Sequence, residues 1–311
     1  TAGAERPDFN PRDRALFSLN APPAPIRSTC DEENAMTFAS LLVAVEDGTE
    51  SDGRLELACD LAAAFDAHLT GICAESIAPP PYDPLAAGAM VGELLTLYRD
   101  AAQADVARAR SRFFEIVQAR GLEAGWRGQV GFPGEICSRA ARMADLVILG
   151  GRNSRAPTHA PDVADVLMGG GRPVLVTPPT RLRNPVGEPA LVAWKDCREA
   201  RFALTAAIPL LRRARGVTLY TVCGDGENAS AEAELADVVQ YLAHHRISAE
   251  PVVAGRAEGS AGRQILDEAL AREAGLIVAG GYGHSRLREW ALGGVTRDLI
   301  NDSPICLCLA H

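Results

Sequence analysis

The chain repeats itself, and that repeat constrains its fold more than any other feature. "SLLVAVEDGTESDGRLELACDLAAAF" (40–65) and "ALVAWKDCREARFALTAAIPLL" (190–211) share one order: an apolar run, a polar turn, then apolar residues three and four apart. "HLTGICAES" (68–76) matches "GVTLYTVCG" (216–224), and "PGEICSRAARMADLVILGG" (133–151) matches "AGRQILDEALAREAGLIVAGG" (261–281). "RPVLVTPP" (172–179) matches "SPICLCLA" (303–310). Short apolar runs alternating with longer helical patterns imply a parallel sheet, because parallel neighbours need a crossover and the crossover helices bury both faces. The reading is therefore α/β: two tandem open parallel sheets of five strands each, with helices on both faces and right-handed crossovers.

The repeat also divides the chain. Leu42 stands opposite Leu191 and Asp145 opposite Gly275, so the first copy is about 19 residues longer in its middle. There "APPPYDPLAAGAMVGELLTLYRDAAQ" reads as a Pro-rich loop feeding a long helix. The expected organisation is a disordered extension over 1–35, a first domain over 36–180, a linker over 181–189 and a second domain over 190–311. The extension is rich in Pro, Ala and mixed charge, without an apolar core of the kind a secretory signal needs, and Met36 directly precedes "TFASLLVAV". No apolar stretch reaches the roughly 20 residues of a membrane span. A net charge of −9 excludes a broad nucleic-acid surface, which rewards clustered Lys and Arg, but leaves room for a small anion site. The eight cysteines form no C-x-x-C pair. Cys306 and Cys308 share a strand face, yet without further Cys or His nearby they read as buried reduced thiols in a cytoplasmic protein, not as metal ligands.

The stretch with most chemistry is "GGYGHSRLREWALGGVTRDLI" (280–300), which follows the apolar run Leu276–Ala279. Glycines at 280 and 283 let a chain leave a strand in a tight turn. Gly293 and Gly294 then open a helix, whose bare N–H groups and positive dipole end favour an anion. In such sheets ligands bind beyond the carboxyl ends of the strands, where strand order reverses. That rule brings the ends of the second copy's first and fourth strands together. The alternative is a tight turn that lets the last helix pack.

The G-x2-G-x9-G spacing with Val295-Thr296, in a domain opening "LVAWKDCREA", closely resembles the universal stress protein family. The resemblance spans about residues 38–311 as two tandem domains. It implies an adenine-nucleotide alpha-hydrolase-like fold with strand order 3-2-1-4-5, and ATP bound with Mg in glycine-motif members. Carried over by position, Gly280, Gly281, Gly283, Gly293, Gly294, Val295 and Thr296 form the phosphate loop. His284 and Arg286 stand beside it as a basic rim or as phosphate contacts. Ala193, Trp194, Lys195, Asp196 and Val222 come from the strand ends at the base side. Two positions depart from the family. Gly294 stands where the family usually has Ser or Thr, and Lys195 where it has an acid that accepts from adenine; a lysine only donates.

The first copy departs further. Asn153 replaces the second glycine, and Gly169–Gly171 fall after the helical stretch instead of opening it, although Glu46 and Asp47 follow its first strand. It reads as a degenerate, structural copy. No nucleophile elbow, Walker lysine or metalloprotease motif is present. The resemblance thus implies a bacterial, cytoplasmic stress-response binding module. Its partners would be a nucleotide and, through the apolar last strands, another copy or its own other domain; the expected pairing is of the two domains with one another, "RPVLVTPP" of the first copy being the partner strand. A ligand-free scaffold and a slow ATPase are the rival readings.

Overall fold

The computed structural model describes residues 37–47, 51–77, 91–151, 159–179, 182–224, 226–282 and 294–311. The expected N-terminal extension lies outside them. The first half runs β1 (Ser40–Ala44), α1 (Asp52–Phe65), β2 (His68–Glu75), α2 (Val91–Ala119), β3 (Ala124–Val130), α3 (Pro133–Ala140), β4 (Leu146–Gly150), α4 (Val163–Gly170) and β5 (Val174–Thr177). The second half repeats that order as β6 (Ala190–Ala193), α5 (Arg198–Leu211), β7 (Val217–Cys223), α6 (Asn228–His244), β8 (Ala249–Gly255), α7 (Ala261–Ala271), β9 (Leu276–Gly280), α8 (Gly294–Asp302) and β10 (Cys306–Ala310).

Across the sheet the strands lie in the order β3-β2-β1-β4-β5-β10-β9-β6-β7-β8, so each half has the order 3-2-1-4-5. The expectation of two five-stranded sheets needs one correction. The last strands pair antiparallel, with Leu307 opposite Val176, Cys308 opposite Leu175 and Leu309 opposite Val174. The two sheets thereby become a single ten-stranded sheet. The physical reason is legible in the strands themselves: β5 and β10 are buried along their whole length and apolar except for Thr177, and an uncovered apolar edge is a template for pairing. The pairing itself is the expected one: the last strand of the second half meets the "RPVLVTPP" strand of the first.

The antiparallel seam has a geometric consequence. It relates the halves by an approximate two-fold axis normal to the sheet, so equivalent helices fall on the same face. Leu55 of α1, Phe113 of α2, Ala203 of α5 and Leu235 of α6 join one core layer. Ile136 of α3, Val166 of α4, Ile265 of α7 and Leu299 of α8 join the other. Successive strand residues serve alternate layers: Leu41 and Val43 the first, Leu42 and Ala44 the second. Both sets are apolar because both faces are covered. The outermost strands, β3 and β8, are half exposed, and Pro251 in β8 withholds an N–H from that edge.

Helix ends carry their own signals. The Asp162 carboxylate accepts from the Ala164 N–H at 2.7 Å to cap α4, and the Ser260 hydroxyl accepts from the Arg263 N–H at 3.1 Å to cap α7. The extra length of the first half appears in α2, 29 residues against 17 in α6. Its stripe Ala102, Ala109, Phe113 and Val117 is buried, while Leu94, Leu95 and Leu97 in its first turns are exposed.

Candidate functional site

The carboxyl ends of β6 and β9 lie side by side, since these strands pair through Ala193 opposite Ala279. The chain leaves β9 under tight restraint. A Cβ on Gly280 would come within 2.6 Å of the Ala200 nitrogen and 2.8 Å of the Glu199 carbonyl carbon, both backbone atoms of α5. Only glycine lets the first turn of α5 approach this closely. Gly281 donates its N–H to the Ala310 carbonyl at 2.8 Å. The carbonyl of Gly281 can only accept, so the His311 Nδ1 at 3.0 Å from it carries the proton.

Tyr282 follows with φ of 54°, left-handed for a residue with a side chain. Its N–H donates to the Thr296 hydroxyl at 3.4 Å, a long bond that nevertheless ties the end of β9 to the first turn of α8. Thr296 is buried. Gly294, the first residue of α8, is exposed, and a Cβ built on it would meet nothing within 4 Å. The open start of α8 therefore lies beside the end of β9, which is the arrangement an anion at a helix N-terminus requires. Gly283, His284, Arg286 and Gly293 lie outside the described residues.

At the base side the predicted residues have distinct surroundings. Ala193 and Val222 are half-buried and Trp194 is buried, while Lys195 and Asp196 are exposed. The Asp196 carboxylate pairs with Arg201 at the surface. Lys195 is the only lysine in the chain. Against the residues that sequence reasoning named, Glu199 was missed: it is buried in the first turn of α5, where the helix dipole favours a carboxylate. Cys197 beside it has its thiol pushed up by burial, with Glu199 adding to the effect and backbone N–H groups of α5 opposing it.

The first half places different chemistry at its equivalent strand ends. Glu46, after β1, is buried in an ion pair with Arg54 of α1. Arg54 also donates Nε–H to the Ala44 carbonyl at 2.9 Å, and the Ser51 hydroxyl donates to the Glu46 carbonyl at 2.9 Å. Asp47 pairs with Arg108 at 2.9 Å. Glu75, at the end of β2, is buried with the His159 Nδ1 at 2.6 Å. The charges at these strand ends are thus paired within the first half. Sequence reasoning named Glu46 and Asp47 but not their partners, which come from helices whose inward face is set only on folding.

A cavity of about 570 Å³ lies elsewhere, lined by Arg212, Arg215, Arg246, Glu250 and Arg272 at the amino ends of β7 and β8. It is at the wrong end of the strands for the ligand rule of such sheets. Arg212 and Arg272 directly follow the last residues of α5 and α7, where cations offset the negative dipole ends. Among the described residues no group of three or more His, Cys, Asp or Glu is placed to hold a metal ion. None of the described helices is long and apolar enough to cross a membrane.

A twin-layered α/β sheet with a glycine-bearing exit from its fourth strand defines a class that comparison makes specific. Residues 188–309 match the model of the universal stress protein family. In fold it is similar to a universal stress protein from Archaeoglobus fulgidus DSM 4304, with a TM-score of 0.68 at 17% identity over 87% of this chain and 97% of that one. It is also similar to a functionally unknown protein from Pseudomonas aeruginosa PAO1, with a TM-score of 0.56 at 16% identity, covering 90% of this chain and 94% of that one. Both likenesses extend across the two halves. Among curated proteins, none matches the chain in sequence.

Proposed function

We propose that the second half binds ATP or a related nucleotide, and that the protein works as a stress-response binding module rather than as a fast enzyme. The observation that carries this reading is the convergence of β9 and α8: Gly280 and Gly281 leave the strand, and Tyr282 is tied to Thr296 beside the open N-terminus of α8. These residues fit the phosphate end of a nucleotide. Backbone N–H groups of Gly294 and Val295 would hold the outer phosphates at the start of α8. Mg would supply further neutralisation between phosphate oxygens when bound. The base end fits adenine less well, because Lys195 donates where an acceptor is needed and Asp196 is engaged by Arg201.

The single lysine makes the reading testable. An amine-reactive reagent should modify only Lys195 and the chain's amino terminus, and millimolar Mg-ATP should protect Lys195 alone. Mass spectrometry of the labelled peptides and of nucleotide extracted from purified protein reads both. Unprotected Lys195, no extracted nucleotide and no thermal shift with Mg-ATP would together leave the ligand-free scaffold as the better reading. Phosphate release that tracks nucleotide affinity in a Gly280→Val variant would instead favour a slow ATPase, for which positioned water and phosphate neutralisation suffice.

A further inference from the structure

The start of the glycine loop is gripped from outside its own half. A Cβ on Gly281 would lie 2.4 Å from Cδ2 of Leu167, a residue of α4 in the first half. Tyr282, the next residue, packs partly buried against the core layer that contains Leu167, Val163 and Val166. Its phenol is pushed above the usual tyrosine range by burial and then by Asp162 and Asp165, which begin α4. The opposite contact is looser: a Cβ on Gly151 would lie 3.9 Å from the Ile300 carbonyl of α8. The close approach therefore occurs on the side that carries the glycine loop.

Tyr282 also needs holding. A non-glycine residue at φ of 54° costs about 1–2 kcal/mol, and such strain persists only where neighbours over-determine it. The neighbours here are Ala310 and His311 on one side, Thr296 below, and α4 across the seam.

We propose that Leu167 is a positioning residue for the second half's site: α4 of the first half holds Gly281 and Tyr282 so that the end of β9 meets the start of α8. The first copy then has a use that its own strand ends do not show, as one wall of its neighbour's site. This inference rests on the nucleotide reading for its ligand, but not for its structural readout.

The test uses the full chain and three variants: Gly281→Ala, Leu167→Ala and the two combined. Mg-ATP affinity is measured by calorimetry, and amide hydrogen exchange at Gly281 and Tyr282 by NMR. Backbone conformation does not forbid alanine at 281, so the new methyl acts through Leu167. Gly281→Ala should weaken Mg-ATP about tenfold, and Leu167→Ala should speed Tyr282 exchange about tenfold while weakening binding about threefold. The combined variant should bind better than Gly281→Ala alone, because the methyl enters space that Leu167 has vacated. A general loss of stability cannot produce that rescue. A combined variant no better than Gly281→Ala, or Leu167→Ala with wild-type exchange at Tyr282, overturns the proposal. If the wild-type protein binds no Mg-ATP, the nucleotide reading fails, and exchange at Tyr282 still decides whether α4 holds the loop start.

Discussion

Gly280 and Lys195 mark the two ends of the candidate site, and each makes a separate demand. At Gly280 the neighbours of an added methyl are backbone atoms of α5, 2.6 and 2.8 Å away, and backbone cannot swing aside as a side chain can. Gly280→Ala should therefore cost about 1–3 kcal/mol of stability, the usual range for overpacking. Urea unfolding checks it, and a loss under about 0.5 kcal/mol would show that α5 gives way more easily than its packing implies. At Lys195 the expected change is a gain. Lys195→Asp supplies an acceptor at the base end, so ATP affinity should rise about tenfold if adenine sits there. Unchanged or weaker binding would mean that Lys195 serves the phosphates instead. At Lys195 residue-scale reading needs only the chemistry of the side chain, because a lysine donates and cannot accept. It failed at Gly281, whose glycine requirement comes from Leu167 in another half of the chain.

Among the elements, the seam strands β5 and β10 changed the picture most. Paired with each other, β5 and β10 become interior strands, so that β4 and β9 belong to one continuous sheet covered on both faces. Amides of β4 and β9 should then exchange only by global unfolding and with the same free energy, whereas those of β3 and β8 at the edges should exchange earlier. Native-state hydrogen exchange reads this directly, and values for β4 and β9 that differ by more than about 2 kcal/mol would show halves that open independently. The order of elements was legible because the halves repeat and because apolar runs of strand length alternate with helical spacing. The pairing of last strands was legible as an uncovered apolar edge, since Val174–Val176 and Cys306–Ala310 carry no polar side chain but the cysteine thiols. An uncovered apolar edge in each half of one chain made the other half the expected partner, and that is the pairing found. The internal pairs of the first half, Glu46 with Arg54 and Glu75 with His159, were hidden. Their members are brought together by helix rotation and by a turn that no short spacing encodes.

For the whole molecule, composition and burial combine into a prediction about alkali. The chain has one lysine, and arginine stays charged throughout, so titration between pH 9 and 12 belongs mainly to eight cysteines and five tyrosines. Burial pushes Cys59 up to about 11, and Cys137, Cys306 and Cys308 up to about 12. Cys73 is raised further, by burial and by the neighbouring Glu75 and Glu46. Below about pH 8 these thiols are protonated in both folded and unfolded chains, and they add no slope to stability. Above it the unfolded chain loses its thiol protons first, so the folded state alone keeps them and stability falls as pH rises. Each such thiol contributes about 1.4 kcal/mol per pH unit until its folded value is reached. The protein should therefore lose several kcal/mol between pH 8 and 10.5, a steep decline read as a falling urea midpoint. Replacing Cys306 and Cys308 together by alanine should flatten that decline while lowering stability at pH 8, because two buried side chains shrink. A urea midpoint that does not move between pH 8 and 10.5 would mean that the thiols are open to water, and that the layers holding Cys59, Cys73 and Cys137 and the seam holding Cys306 and Cys308 are not the closed core described above.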